Sequence, residues 1–262
     1  MTGQTNEKNY VLITGATVGI GYEMAKVFAK EGYPLILVAR QQDRLKEVQA
    51  ELHQQYGIDV EYFAVDLSGE SAAKGLYEDI QARHLPVEIL VNNAGFGLIG
   101  KFVELNLETQ LKMIRLNISS LTILSHLFLK NMLQRNRGKI LNIASTASFQ
   151  PGPLMAVYYA TKAYVLFFSE ALYYELKGTN ITVTTLCPGP TLTDFQRRAG
   201  LKDHRVVRLG LMEASKVADA AYRGLMKGKR LVIPGAMNKM GVLTAKFFPR
   251  SWIMQTIKFL NQ

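Results

Sequence analysis

Cysteine is almost missing from this chain of 262 residues. Cys187 stands alone, so no internal disulfide can form, and a reducing compartment fits. It lies in an apolar run ahead of Pro188, the setting of a packed side chain rather than a nucleophile. Zinc-ligand spacing, a helix-turn-helix pattern and an aromatic RNA-binding signature are all missing, so neither a metal site nor a nucleic-acid partner is expected. That exclusion matters because the net charge is +10. Acid is scarce in the last third. Beyond Asp194 only Asp203, Glu213 and Asp219 are acidic, against Arg197, Arg198, Lys202, Arg205, Arg208, Lys227, Lys229, Arg230, Lys239, Lys246, Arg250 and Lys258. A solvated basic face is the plain reading of this asymmetry. No repeat, low-complexity block or Pro/Ser-rich linker divides the chain, and one domain over 1–262 is expected. The opening MTGQTNEKN has no apolar signal core, which predicts no secretion signal and a cytoplasmic location.

What is present is a regular alternation. Short apolar runs at 10–14, 35–39, 60–65, 88–91, 139–144, 181–187 and 230–233 read as buried strands. Helical patterns lie between them at 22–30, 43–55 (with Asp43 as a cap), 70–83, 107–134, 158–177 and 213–226. A loop with a short helix is expected at 190–210. Right-handed crossovers then build an α/β fold, a doubly wound parallel sheet of about seven strands with helices on both faces.

The stretch 138–162, GKILNIASTASFQPGPLMAVYYATK, carries chemistry. A strand ends at Ser145, a loop with Pro151, Gly152 and Pro153 follows, and a helix opens at Tyr158. Tyr158 and Lys162 are four positions apart and share a helix face. A free tyrosine titrates near pH 10, and a neighbouring ammonium favours the phenolate. Tyr158 is therefore expected to exchange a proton with a carbonyl or alcohol oxygen, with Ser145 bonding the same oxygen. Tyr-x-x-x-Lys by itself is weak, since it recurs at Tyr22/Lys26 and Tyr173/Lys177. Only Tyr158 has a serine thirteen positions upstream; the others have Asn9 and Ala160, and are expected on solvated helix faces.

The first strand runs into Thr14-Gly15-Ala16-Thr17-Val18-Gly19-Ile20-Gly21 and then a helix, where backbone amides and a helix N-terminus suit a pyrophosphate. A literal G-x-G-x-x-G at 95–100 is set aside, because it follows the fourth strand and no prompt helix comes after it. At the second strand's end, where a carboxylate would select NAD(H), the sequence has Arg40, a bidentate donor for the 2′-phosphate of NADP(H).

Ser145, Tyr158 and Lys162 at this spacing, with the T-G-x-x-x-G-x-G turn, resemble the short-chain dehydrogenase/reductase family, and the resemblance runs from about Tyr10 to Ile233. It implies a Rossmann-type sheet and NADP(H) as cofactor. It further implies that Asn117 holds a relay water, that Asn93-Ala94-Gly95 and Asp66-Leu67 flank the dinucleotide, and that Thr193 of Pro188-Gly189-Pro190-Thr191-Leu192-Thr193 lies near the carboxamide. Thr14, Gly15, Thr17, Gly19, Ile20, Gly21 and Arg40 complete the cofactor set, with Pro188, Gly189 and Thr191 from the later segment. Lys162 would hold the nicotinamide ribose and lower the Tyr158 pKa. The branch it looks like is bacterial and ketoacyl-reductase-like, with a homodimer or homotetramer as the expected assembly.

The substrate expectation is an apolar or 3-oxoacyl-like ketone, under a loop at 190–211 and beside Phe96, Phe149, Leu154, Met155 and Phe195. A silent NADP(H) sensor or scaffold would show a broken tetrad, and all four members stand here. The tail at 234–262 suits an interfacial helix at 240–260, a peripheral membrane lipid-ketone reductase being the rival reading. It equally suits a helix packed on a subunit or closing the cleft, and these are favoured over membrane contact. Its basic residues interrupt any transmembrane span.

Overall fold

The computed structural model describes residues 9–195, 199–200 and 211–261. Its element order is β1 (Tyr10–Thr14), α1 (Gly19–Lys30), β2 (Leu35–Ala39), α2 (Gln42–Tyr56), β3 (Val60–Ala64), α3 (Ala72–Ala82) and β4 (Val87–Asn92). A helix of three parts follows: α4 (Leu107–Ile114), a π-helical turn (Arg115–Ser120) and α5 (Leu121–Arg135). Then come β5 (Gly138–Ile143), α6 (Ala156–Glu175), β6 (Ile181–Leu186), β7 (Thr191–Leu192), β8 (Met212–Glu213), α7 (Ala214–Met226), β9 (Leu231–Val232), α8 (Ala236–Phe247) and α9 (Arg250–Leu260).

Seven strands form one sheet in the order β3-β2-β1-β4-β5-β6-β9, all parallel. This is the doubly wound sheet that the alternation predicts. Every residue of β1 is buried, because side chains of alternate residues feed separate cores. Val11 and Ile13 pack with Met24 and Phe28 of α1, Leu45 and Leu52 of α2, and Ala221 of α7. Leu12 packs with Leu76 and Ile80 of α3 and Phe128 and Met132 of α5.

Buried polar groups tie the middle of the sheet to the helices behind it. Asn92 Nδ2 donates to Asn142 Oδ1 (2.9 Å) and to Ser125 Oγ (3.0 Å), and Asn142 Nδ2 donates to Ser169 Oγ (2.9 Å). Asn142 and Ser169 are fully buried, so these bonds replace water that cannot reach them.

Several local expectations shift. Asp43 is not a cap: α2 begins one residue earlier behind Gln41, and Asp43 sits in the first turn, where its charge suits the helix dipole. Tyr22 and Tyr173 are half-buried rather than solvated, Tyr22 bonding Glu51 across to α2 and Tyr173 packing on the second core. The tail is two helices rather than one, because Pro249 holds the preceding Phe248 in extended backbone (φ −84°, ψ 150°). Two short strands, β7 and β8, pair with each other where only a loop was expected. The helix expected within 190–210 falls mostly on residues outside those described.

Asn142→Ala should lower unfolding stability by about 2 kcal/mol, the cost of orphaning buried donors and acceptors. A fall in the urea midpoint with unchanged slope is the expected readout.

Candidate active site

The strand order reverses between β1 and β4, so connections leave to opposite sides and a crevice opens beyond the carboxyl ends of the strands. A cavity of about 1460 Å³ occupies that position. Of the residues singled out in the sequence, it is lined by Gly15, Thr17, Gly19, Ile20, Arg40, Asp66, Leu67, Asn93, Ala94, Gly95, Ser145, Tyr158, Lys162, Pro188, Gly189, Thr191 and Thr193.

Thr14, Gly21 and Asn117 are not among its lining residues, and each fits the backbone around it. Thr14 Oγ1 accepts from the amides of Asn93 and Ala94 (both 3.0 Å) and donates to the Val91 carbonyl (3.3 Å). In return Asn93 Nδ2 donates to the carbonyls of Thr14 (2.9 Å) and Gly15 (3.1 Å). A side chain at Gly21 would strike the Gly15 carbonyl and the Asn93 amide, so only glycine lets α1 start this close to the turn. Asn117, in the π-helical turn, bonds the Phe96 backbone through both side-chain atoms (3.2 and 3.0 Å) and donates to Thr161 Oγ1 (3.1 Å).

The glycine turn fits a dinucleotide phosphate. Gly15 and Gly19 hold φ of +68° and +58°. No side chain caps the N-terminus of α1 and no acid stands in its first turn, so its amides and dipole face the cavity uncompensated. Arg40 is exposed just past β2, and with Lys112 it lowers the pKa of the Asp66 carboxyl. Burial alone would raise that pKa, but hydrogen bonds from Ser68 and these two cations outweigh it.

At the other end Ser145 follows β5, where a 3₁₀ turn (Thr146–Phe149) begins. Ser145 Oγ accepts from the Ala147 amide (3.1 Å) and its side chain bonds that of Tyr158. Ser148 Oγ joins this turn to α6, donating to the Lys162 carbonyl (2.7 Å). Lys162 Nζ donates to the Ile143 carbonyl (2.8 Å) and lies 6.0 Å from the centre of the Tyr158 ring.

The expected electrostatics need correction. Burial dominates both groups: it raises the Tyr158 pKa, only partly offset by the Ser145 bond, and pushes Lys162 down to about 8. Lys162 does not depress the tyrosine here, and Tyr158 is held as the neutral phenol. Cys187 is likewise buried, its thiol pushed up to about 12 by desolvation, which fits a packed side chain.

The end of the cavity beyond Tyr158 is apolar. Phe96, Met155 and Phe195 line it as expected, and Phe195 packs on the Tyr158 ring at 5.4 Å. Phe149 and Leu154 do not; Phe149 packs behind β5, and Leu154 turns the backbone at φ +68°. The glycines at 95–100 form no phosphate turn, since the next helix starts at Leu107. Gly97 instead leaves room for Phe195, Tyr158 and Met155. The other wall is built by Asn238, Val242, Phe248, Trp252 and Ile257 of the tail, which the sequence reading allowed as closing the cleft without naming these residues. Asn261 seals it, donating to the Pro153 carbonyl (2.9 Å) and bonding Tyr159. The tail's apolar spacing was the available signal. Of the loop at 190–211, residues 196–198 and 201–210 lie outside those described.

The short chain dehydrogenase family model matches residues 9–204. The chain belongs to this family. It is 36% identical over 187 residues to the very-long-chain 3-oxoacyl-CoA reductase of Rattus norvegicus, covering 68% of this chain and 58% of that one. The uncharacterized oxidoreductase YvrD of Bacillus subtilis is 39% identical over 191 residues, covering 73% and 71%. A short-chain dehydrogenase from Sphingobium yanoikuyae, solved in complex with NADPH, superposes with a TM-score of 0.82 at 34% identity, covering 94% and 95%. The chain thus spans little more than half the length of the rat relative.

Lys162 makes a pH-dependent prediction. Its folded pKa of about 8 lies below the ordinary 10.5, so the unfolded chain holds the proton more tightly. The burial penalty is fully present below pH 8 and disappears as pH rises toward 10.5, with stability increasing through that window. Lys162→Met removes the penalty, worth about 3 kcal/mol at most. The melting temperature of Lys162→Met relative to the parent should therefore be more favourable at pH 7 than at pH 10, by several degrees. The opposite trend would mean that the fold stabilises the ammonium.

Proposed function

We propose that the chain is an NADP(H)-dependent reductase of apolar, 3-oxoacyl-like ketones, working as one catalytic domain. The observation that carries this reading is the convergence of Ser145, Tyr158 and Lys162 between a glycine-lined, Arg40-flanked end of the cavity and an apolar end. A bound nicotinamide dinucleotide would supply the hydride. Gly15, Gly19 and the α1 amides would hold its phosphates, and Arg40, with no carboxylate at the end of β2, favours the 2′-phosphate form. The name of the rat relative and the NADPH complex of the Sphingobium protein support the same substrate and cofactor.

The chain's own residues do the proton chemistry. Ser145 donates a hydrogen bond to the carbonyl oxygen and fixes its direction. Tyr158, kept as a phenol by burial, donates its proton to that oxygen as negative charge develops. Lys162, whose pKa is near 8, carries a proton at neutral pH and stabilises the phenolate left behind. Asn117, fixed by its two bonds to the Phe96 backbone, would keep the relay water that reaches Lys162. The exposed apolar residues of α4 and α6, such as Leu107 and Phe167, fit a homodimer or homotetramer.

NADPH consumption should be followed with ketones graded from short and soluble to long 3-oxoacyl thioesters. Turnover is expected to rise with chain length, and Tyr158→Phe should reduce kcat by about 10²-fold to 10⁴-fold while NADPH binding stays within a few-fold. Retained activity in that variant would remove Tyr158 as the acid. Arg40→Asp should shift the ratio of kcat/KM for NADPH over NADH by at least about tenfold toward NADH. An unchanged ratio would place cofactor selection elsewhere.

A further inference from the structure

The hairpin of α8 and α9 has two unlike faces. Asn238, Val242 and Ala245 of α8 and Ile257 of α9 face the cavity. Met237, Met240, Leu243 and Phe247 recur along α8 at steps of three, three and four; Met237 also borders the cavity, and the other three lie on the far side. They are 78%, 57%, 56% and 78% exposed. Phe248 and Trp252, at the bend, are more than half exposed and also line the cavity. The outer apolar surface therefore runs without a break into the cavity mouth. Six large apolar side chains gathered in one patch are more than the scattered exposure normal for a protein surface.

Charge narrows the choice of partner. No Asp or Glu follows Asp219, while Lys239, Arg250 and Lys258 of the hairpin are exposed. A second copy docked face to face would bring these cations against their own kind. A nucleic acid would leave the apolar stripe in water. A bilayer with anionic headgroups satisfies both features, since Trp, Phe and Leu enter the headgroup boundary while Lys and Arg meet the surface charge. We propose that the α8–α9 hairpin docks on an anionic lipid surface. A corollary, which rests on the function proposed above, is that an apolar ketone passes from lipid into the cavity between Phe248 and Trp252.

The test is sedimentation of the full chain with phosphatidylcholine vesicles, with and without phosphatidylserine, at low and high salt. The chain should sediment with the phosphatidylserine vesicles, less so at high salt, and lose roughly fivefold in partitioning for each of Lys239→Ala and Lys258→Ala. The double variant Met240→Glu, Phe247→Glu, at positions outside the cavity lining, should lose at least about tenfold. Its melting temperature and its turnover of a short soluble ketone should match the parent. The proposal fails if the parent stays in the supernatant or if the double variant sediments as the parent does. It also fails if that variant instead dissociates an oligomer with vesicle binding unchanged, which would make this face a contact between copies. Vesicle binding without turnover of any ketone supports the docking and counts only against the proposed activity.

Discussion

The site depends on a clamp between the ends of β1 and β4. These strands are neighbours at the point where the sheet reverses direction, and there the backbone must open to make a crevice. Thr14 and Asn93 close the gap from both sides, each side chain satisfying the other segment's backbone. Because Thr14 is buried, the bonds these residues make cannot be exchanged for water without cost. The glycine turn inherits its position from this clamp, and so does the 94–96 segment that Asn117 grips from the far side. Everything placed against the crevice is referenced to it.

A second constraint is burial of the Tyr158–Lys162 pair. Tyr158 and Lys162 share one face of α6 and are both buried, so desolvation acts on them in opposite directions: the phenol keeps its proton and the ammonium is made readier to lose its own. The two shifts drive their proton affinities apart, the phenol upward and the ammonium downward. Proton donation by Tyr158 is thus opposed by its surroundings until charge develops on a bound oxygen, which suits an acid that acts in the transition state.

Much of this was legible because it is local. β1, its glycine turn and α1 are encoded within one continuous stretch, Tyr10 to Lys30, and the Ser145, Tyr158 and Lys162 spacing lies within one strand, loop and helix. The parallel, doubly wound sheet followed from the alternation of strands and helices. What sequence reasoning left out depends on contacts far along the chain. The parts played by Thr14, Gly21 and Asn117 are set by what β4 and the following loop bring beside them, and spacing does not reveal whether a residue touches a ligand or supports one that does. The electrostatics of Tyr158 went the other way for the same reason: helical spacing promised a neighbouring charge, and burial, a property of the whole fold, outweighed it. Asp43 and the break at Pro249 were local errors, where a plausible cap and a continuous apolar pattern masked the true helix starts.

The bond between Asn261 and Pro153 spans 108 positions. During synthesis the glycine turn, the β1–β4 clamp and the Ser145–Lys162 segment all emerge well before the tail that walls the substrate end. A nascent chain can therefore assemble the glycine-turn half of the cavity while the apolar half still lacks one side. The order in which the ribosome delivers these segments makes the nucleotide half a scaffold for the later docking of α8 and α9.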